Sequence, residues 1–321
     1  MASLPIKGLF LVTGGAGFIG SHTVAALLKE GHRVRVLDDL STGSLSNLDG
    51  MSVDFVEGDI VDPSICEAAM KDCTHVIHLA ARANVVDSTN DPIGFDSTNV
   101  HGTVMVFESA RRANVERVVY ASSSAVYGSA PGLPKRESDQ LQVESPYAAG
   151  KAANELYAQA FSRTLGLSCV GMRYFNVYGP RQDPNGPYAA VIPRFVEFAL
   201  QNRALTVFGD GEQGRDFVSV HDVARANVLA ATTPNLAGLV CNLGSGEMKT
   251  INELAATVIE AIVSDSSVVH LDERPGDVRF SVSSIDRATK KLGWTPKTDF
   301  QSAMEETIDW YRQRFTVAKE A

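Results

Sequence analysis

The feature that most constrains the fold is a glycine-rich turn near the start of the chain. An apolar run of strand length leads into Thr13-Gly14-Gly15-Ala16-Gly17-Phe18-Ile19-Gly20, and an apolar-periodic run continues to Lys29. This pattern predicts a strand, a tight turn and a helix. Glycine suits the turn because the backbone takes unusual angles there and must approach a phosphate closely. The helix N-terminus then directs free N–H groups and the positive end of its dipole at a pyrophosphate.

A carboxylate follows the second predicted strand. Arg33–Leu37 ends at Asp38 and Asp39, and a carboxylate about 20 residues beyond such a turn holds the ribose hydroxyls of a dinucleotide. Asp38 would repel a 2′-phosphate, so the sequence favours NAD over NADP. The alternative is a purely structural strand, turn and helix. The cofactor contacts expected from this region are Gly14, Gly17, Phe18, Ile19, Gly20, Asp38 and Asp39.

The composition is that of a globular protein with an acidic balance. Of the 321 residues, 44% are hydrophobic, and the formal net charge is -9. We expect neither a nucleic-acid nor a membrane partner, because both reward a basic surface. The four cysteines and seven histidines are scattered without ligand spacing, which predicts no disulfide and no metal site. With no signal-like segment or long apolar run, the chain is expected to be cytoplasmic.

Strands and helices alternate through the first half of the chain. Apolar strands joined by helices predict a parallel sheet covered on both faces, a doubly wound, Rossmann-type α/β fold. The predicted strands are Gly8–Val12, Arg33–Leu37, Asp54–Glu57, Thr74–Leu79, Arg117–Ala121 and Ser168–Arg173, and the predicted helices are Gly17–Glu30, Pro63–Met70, Asp91–Ala113 and Ser145–Leu165. Ligands of such sheets bind at the carboxyl ends of the strands. Besides the residues above, this rim contains Asp59, Ile60, Leu79, Ala80, Ala81, Arg82, Ser122, Ser123, Ser124, Tyr174 and Asn176.

The pattern changes after Asn176 to a turn-rich loop, Val177–Tyr188, and then to shorter elements. We predict that Phe217–Val220 returns the chain to the main sheet, with Leu239–Leu243 as its last strand. The remaining pieces predict a smaller mixed substrate lobe at the C-terminal side. The predicted division is residues 1–176 with 216–243 for the dinucleotide and 177–215 with 244–321 for the substrate.

A tyrosine and a lysine carry the expected chemistry. Ser145 and Pro146 suit the start of a helix, so Tyr147 and Lys151 fall four residues apart on one face. A nearby ammonium and an oxidised nicotinamide would lower the pKa of the phenol, which would make it a base able to take a proton from an alcohol. The alternative is a chance pair on a helix.

Ser122-Ser123-Ser124 follows the predicted strand Arg117–Ala121. A hydroxyl there can donate to the substrate oxygen and pass its proton to Tyr147. The alternative is a polar turn that satisfies its own backbone. No acidic residue stands between this cluster and Tyr127. An enzyme that also eliminates water needs such a group, so the sequence favours redox chemistry without dehydration.

Together these motifs resemble the extended short-chain dehydrogenase/reductases, and within them the NAD-dependent UDP-sugar 4-epimerases. The matching motifs are Thr13 to Gly20, Asp38, Asp59-Ile60, His78-Leu79-Ala80-Ala81, Asn99, Ser122-Ser123-Ser124-Ala125-Val126-Tyr127-Gly128, Tyr147 with Lys151, and Arg173-Tyr174-Phe175-Asn176-Val177-Tyr178-Gly179. The resemblance implies a tightly held NAD that is not consumed, and a homodimer joined by a four-helix bundle from the helices near 91–113 and 145–165. It adds Asn99, Tyr147 and Lys151 to the cofactor contacts.

The resemblance also implies the mechanism. Tyr147, assisted by Ser123, would deprotonate the 4-hydroxyl of the sugar while hydride passes from C4 to NAD, and the 4-keto sugar would turn before the hydride returns. The substrate contacts it implies are Ser122, Ser123, Ser124, Asn176, Ala190, Val191, Arg215, Arg274, Asp277 and Ser281. Arg215 and Arg274 suit phosphate oxygens, with surface salt bridges to Asp216 and Asp277 as the alternative. Gly150 departs from the family, which has Ser or Thr there.

The sugar is inferred from a small side chain. Ser281 stands where glucose/galactose-restricted relatives carry a tyrosine, which leaves room for a 2-acetamido group. We therefore expect UDP-GlcNAc and UDP-GalNAc as substrates, with UDP-Glc and UDP-Gal also accepted. Asp183 would repel the 6-carboxylate of the main competing substrate, UDP-glucuronate, which an epimerase or a decarboxylase on this scaffold would use. A non-catalytic dinucleotide sensor is the alternative of another class.

Overall fold

A seven-stranded sheet forms the centre of the computed structural model, which describes residues 8–184, 190–273 and 278–320. From one edge to the other its strands are β11 (Leu239–Leu243), β6 (Cys169–Tyr174), β5 (Arg117–Ser123), β4 (His75–His78), β1 (Leu9–Thr13), β2 (Arg33–Asp38) and β3 (Asp54–Glu57). Every pairing in this sheet is parallel. The chain runs outwards from β1 to β3 and then restarts at β4 on the other side of β1. This reversal opens the crevice where such sheets bind ligands.

Helices cover both faces of the sheet. On one face, α1 (Phe18–Lys29) and α8 (Val220–Thr232) close a core that includes Phe10, Val36 and Met172; on the other, α2 (Pro63–Met70), α5 (Gly102–Arg112) and α6 (Pro146–Thr164) close a core that includes Leu11, Phe107 and Tyr120. The predicted doubly wound α/β fold is confirmed. Within the part of the chain that is described, no helix is both long and apolar enough to cross a membrane.

The smaller elements pack around a third core. Its helices are α7 (Val191–Leu200), α9 (Ile251–Ile262) and α11 (Phe300–Glu320). Its strands are β8 (Leu205–Phe208), which pairs with β13 (Val268–Leu271), and β9 (Gly214–Arg215), which pairs with β12 (Lys249–Thr250) and β14 (Phe280–Ser281). α10 (Asp286–Leu292) packs instead on the first core, through Ala288, Leu292 and the following Trp294. The predicted domain boundaries stay a prediction.

Two predictions in the second half of the chain are wrong. Asn176–Tyr178, most of which was assigned to a loop, is a strand, β7. It pairs in parallel with β10 (Phe217–Ser219) in a separate two-stranded sheet, so β10 does not return to the main sheet. Strand β11 pairs with β6 directly and is the last strand of the main sheet, as predicted.

The predicted helix 91–113 is divided. A short helix, α3 (Val85–Asn90), precedes it, and α4 (Pro92–Asp96) then passes through a π-helical segment, Ser97–His101, into α5. Pro92 at the first turn and the Asp91 side chain, which accepts from Gly94 N at 3.0 Å, separate α3 from α4. A π-helical turn is frequent at functional sites, and this one contains Asn99.

Gly150 lies inside α6 with space beside it. A Cβ there would lie 3.4 Å from Val100 Cγ2 and 3.7 Å from Asn99 Cβ, which are ordinary contact distances. Because glycine in a helix interior costs about 1 kcal/mol relative to alanine, we expect Gly150→Ala to raise the free energy of unfolding by about that amount in a urea titration. The matched control is Gly102→Ala in α5, whose Cβ would lie 2.7 Å from Ile60 Cδ1 and should destabilise the protein. Equal effects of the two changes would contradict this packing.

Candidate active site

Most of the predicted rim residues, but not Ser123, Ser124 or Asn176, line one cleft at the carboxyl ends of the parallel strands. Its volume of about 570 Å³ is in the range of small-molecule sites. The residues that line it are Gly14, Gly17, Phe18, Ile19, Gly20, Leu37, Asp38, Asp39, Ser41, Thr42, Gly58, Asp59, Ile60, Leu79, Ala80, Ala81, Arg82, Ala83, Thr98, Ala121, Ser122, Tyr147, Lys151 and Tyr174. Apart from Asn99, all the predicted cofactor contacts line this cleft, together with two of the three predicted catalytic residues.

The glycine turn forms a cradle at one end of the cleft. Gly14 has a φ of 69°, and a Cβ on it would lie 2.6 Å from Ala80 N. A Cβ on Gly20 would overlap the carbonyl oxygen of Gly14. Helix α1 begins at Phe18 without a side-chain cap, so its first N–H groups remain available. The cradle and the uncapped helix end fit the pyrophosphate of a dinucleotide.

Asp38 lies at the end of β2, on the wall of the same cleft. Its Oδ2 accepts from Ala16 N and its Oδ1 from Leu40 N, both at 2.9 Å. Burial raises the pKa of this carboxyl, and the two backbone hydrogen bonds oppose the shift. Asp38 is therefore fixed beside the cradle, where ribose hydroxyls could reach it.

Asn99 lies behind the cleft wall. Its side chain accepts from Arg82 N and donates to Arg82 O, both at 2.9 Å, and it is 1% exposed. The guanidinium of Arg82 lies 2.6 Å from Asp91 and stacks on Phe95. Asn99 thus holds the strand end that lines the cleft, and a direct contact between Asn99 and the cofactor stays a prediction.

The predicted catalytic residues meet where β5 ends against α6. Ser145 caps the helix, its Oγ accepting from Ala148 N at 3.1 Å. Lys151 Nζ lies 5.8 Å from the centre of the Tyr147 ring and donates to Ala121 O at 3.0 Å. Ser123 Oγ accepts from Ala125 N at 3.1 Å, and the Ser123 side chain lies close enough to Tyr147 to lower the pKa of the phenol. The structure thus brings Ser123, Tyr147 and Lys151 together, and their catalytic roles stay a prediction.

The pKa of Tyr147 differs from the expectation. Burial raises it, and the neighbouring Ser123 side chain opposes that shift only in part. Burial also lowers the pKa of Lys151 to about 8. The protein groups alone therefore do not make the phenol acidic. Tyr147 and Lys151 are buried together, and burial disfavours the phenolate and the ammonium alike. The expected lowering depends on a further positive charge in the cleft, such as an oxidised nicotinamide.

A second pocket of about 140 Å³ collects predicted substrate contacts. It brings together Asn176, Val191 and Arg215. Ala190 is exposed and precedes α7 as its N-cap. Sequence reasoning missed the other lining residues, which are Arg194, Phe195, Thr206, Val207, Phe208, Gln213 and Ile251. The sequence offered little to find these residues beyond an arginine and aromatic side chains close to Val191. The pocket forms where α7, β8 and β9 meet, and these elements are far apart in the chain.

Asp216 does not form the surface salt bridge with Arg215 that was the alternative interpretation of this arginine. The carboxylate is fully buried and accepts from the backbone N and side chain of both Ser245 and Ser283. Arg215 instead donates to Gly214 O at 2.9 Å. Ser281 pairs with Arg215 in the register of β14 and β9.

The other predicted substrate residues are less informative. Ser124 begins a 3-10 turn, Ser124–Tyr127, and is not among the residues that line either pocket. Arg274 and Asp277 lie outside the described residues.

This fold and this cleft are those of a Rossmann-type dinucleotide-dependent enzyme, and comparison with known proteins agrees. Residues 10–244 match the model of the NAD dependent epimerase/dehydratase family. A UDP-glucose 4-epimerase of Mycolicibacterium smegmatis is 40% identical over 311 residues, which are 95% of this chain and 98% of the relative. A dTDP-glucose 4,6-dehydratase of Streptomyces niveus is 36% identical, over 94% of this chain and 92% of the relative.

Solved structures show the same likeness. A UDP-N-acetylglucosamine 4-epimerase from Methanobrevibacter ruminantium, in complex with UDP-N-acetylmuramic acid, has a TM-score of 0.91 at 39% identity, over 96% of this chain and 99% of that one. The UDP-glucose 4-epimerase of Thermus thermophilus, solved with NAD, has a TM-score of 0.88 at 40% identity, over 95% and 99%. The chain belongs to the NAD dependent epimerase/dehydratase family, and NAD is its cofactor.

Proposed function

We propose that the protein is a UDP-sugar 4-epimerase that interconverts UDP-GlcNAc and UDP-GalNAc and also accepts UDP-Glc and UDP-Gal. The observation that carries the proposal is the meeting of Ser123, Tyr147 and Lys151 at one end of the cofactor cleft. The 4-epimerases among the similar proteins support the reaction. The residues that follow Ser123, Ser124 and Ala125, are not acidic. The absence of a carboxyl group at these two positions favours epimerisation over the dehydration for which other relatives, such as the dTDP-glucose 4,6-dehydratase, are named.

The residues of the cleft divide the work of the reaction. When bound, NAD supplies a hydride acceptor that the reaction regenerates. Tyr147 takes the proton of the sugar 4-hydroxyl, and Ser123 donates a hydrogen bond to the same oxygen. Lys151, charged below its pKa of about 8, favours the phenolate. Asn176 and Arg215 hold the diphosphate while the 4-keto sugar turns, and Tyr147 then returns the proton to O4.

Removal of the phenol tests the base. We expect Tyr147→Phe to lower turnover about 10²- to 10⁴-fold, the usual contribution of one general base, with NAD still bound because the ring that lines the cleft is kept. Turnover is followed by NMR of UDP-GlcNAc, and bound NAD by its release on denaturation. The matched control is Tyr157→Phe on the same helix, an exposed ring that should leave turnover unchanged. A Tyr147→Phe enzyme with wild-type turnover would fit a dinucleotide sensor instead.

The proposed preference for acetamido sugars depends on space at Ser281. Ser281 on the short strand β14 is half-buried and pairs with Arg215 of β9. The resemblance to the 4-epimerases implies that the 2-acetamido group lies beside Ser281, so a larger side chain there would exclude it. We expect Ser281→Tyr to reduce kcat/KM for UDP-GlcNAc relative to UDP-Glc by at least about tenfold, the usual effect of one steric contact. Ser281→Ala keeps the space and should keep the wild-type ratio. The same ratio in all three proteins would remove Ser281 from the sugar site.

UDP-glucuronate is the competing substrate, and the same NMR assay separates the two. Asp183 is exposed in the segment after β7, and the proposal is that its negative charge repels the 6-carboxylate of UDP-glucuronate. Release of CO2, or turnover of UDP-glucuronate alone, would contradict the proposed substrate.

We also propose that two copies pair through α4, α5 and α6 as a four-helix bundle. Leu156 on α6 is 66% exposed and Ile93 on α4 is 82% exposed, and α4 packs beside α6. Apolar side chains exposed together on two adjacent helices favour association. We expect Leu156→Asp to convert a dimer to a monomer in sedimentation velocity. Leu133→Asp, which changes a leucine exposed on a loop, should remain dimeric.

A further inference from the structure

Helix α6 holds the end of β5 by a stripe of three side chains. Tyr147 and Lys151 are continued by Glu155, each four residues from the last, so all three lie on one face of the helix. Tyr147 lies beside Ser123, whose side chain lowers the pKa of the phenol, and Lys151 donates to Ala121 O. Ser123 and Ala121 at the end of β5 thus contact the predicted catalytic pair, Tyr147 and Lys151. Ser122, which lies between them, is hydrogen-bonded to Glu155.

Glu155 is buried and its carboxylate is fully engaged. It is 3% exposed. Ser122 Oγ donates to its Oε1 at 2.6 Å, and the Arg173 guanidinium donates to Oε1 at 2.8 Å and Oε2 at 2.6 Å. A buried ion pair is weak evidence for stability, because the desolvation of both charges offsets their attraction. Because Glu155 contacts the end of β5 next to Ser123, its role is more readily explained by the positioning of that strand end.

The partner of Glu155 is itself fixed from the other side. Arg173 Nη1 donates to Tyr127 Oη at 2.7 Å, and Tyr127 donates to Asn242 Oδ1 at 2.6 Å. Asn242 on β11 donates in turn to the carbonyl oxygen of Lys135 at 2.9 Å. Glu155 therefore connects the end of β5 to a buried chain of hydrogen bonds that extends over β6 and β11. A shift of Ser122 would break its hydrogen bond to this chain.

We propose that Glu155 is a positioning residue that, through Ser122, holds the neighbouring Ser123 in place to bond Tyr147 during proton transfer. The inference rests on the proposed epimerase function. Glu155 is not among the residues that line the cofactor cleft or the second pocket, so it acts on the alignment of the reacting groups and not on substrate binding. A misplacement of about 1 Å can cost about 100-fold in rate.

Two variants and a matched control test this by kinetics. Glu155→Gln and Ser122→Ala are expected to lower kcat by about 10- to 100-fold. For Glu155→Gln, which changes a residue outside both pockets, KM for the UDP-sugar and bound NAD should be unchanged. Because Glu155 acts through Ser122, the double variant should be no slower than Glu155→Gln alone. The control is Asp222→Asn, which removes another buried carboxylate paired with an arginine, on α8. It should lower stability and keep kcat.

A second measurement does not need turnover. The ionisation of Tyr147 is followed by ultraviolet difference titration of each protein against the same protein carrying Tyr147→Phe. Since the Ser123 side chain favours the phenolate, Glu155→Gln and Ser122→Ala should move the titration of Tyr147 to higher pH, and Asp222→Asn should not.

The outcomes separate the two proposals. If Glu155→Gln does not fold, Ser122→Ala decides. Unchanged kcat and unchanged Tyr147 titration in a folded variant would overturn the positioning proposal. If the wild-type protein converts no UDP-sugar, the proposed function fails, and the titration alone decides whether Glu155 positions Ser123.

Discussion

The structure depends on the parallel pairing of β1 with β2 on one side and β4 on the other. All strands run in the same direction, but the order in which they are added to the sheet reverses at β1. The connections on the two sides of β1 therefore lie on opposite faces, and a crevice opens beyond the strand ends. The glycine turn can enter this crevice because Gly14 and Gly20 carry no Cβ that would meet Ala80 or the turn itself. The glycine cradle, Asp38 and the carboxyl ends of the strands therefore lie along the same edge of the sheet.

Helix α6 makes this edge reactive. Its inner face presents Tyr147, Lys151 and Glu155 to the end of β5, and its outer face exposes Leu156 and Tyr157. Burial of the inner stripe has a cost, because it raises the pKa of Tyr147 and lowers that of Lys151. A site of this kind is completed by the charge of its cofactor. This dependence would couple proton transfer to the presence of oxidised NAD, which is the state in which the proposed reaction begins.

Most strands and helices of the first half of the chain could be predicted from local sequence patterns, apart from α3 and the division of the predicted helix 91–113. Elements such as β2 and α6 were predicted to within one or two residues. Sequence reasoning failed at Phe217–Ser219, which looks like a core strand because it is buried and apolar. Nothing local to that segment records that its partner is Asn176–Tyr178. The second pocket was incomplete for the same reason, because Phe208 and Gln213 reach it through β8 and β9, whose pairings join distant parts of the chain.

The sequence by itself determined the doubly wound sheet, the NAD site and the Tyr147–Lys151 pair, because turn glycines, strand periodicity and helical spacing act over a few residues. Only the tertiary structure decided that Glu155 closes on Ser122 and Arg173, that Asp216 holds Ser245 and Ser283, and that burial opposes ionisation of Tyr147. Hydrogen bonds between distant residues and the loss of water around a charge depend on what packs beside a group, and no local pattern records that.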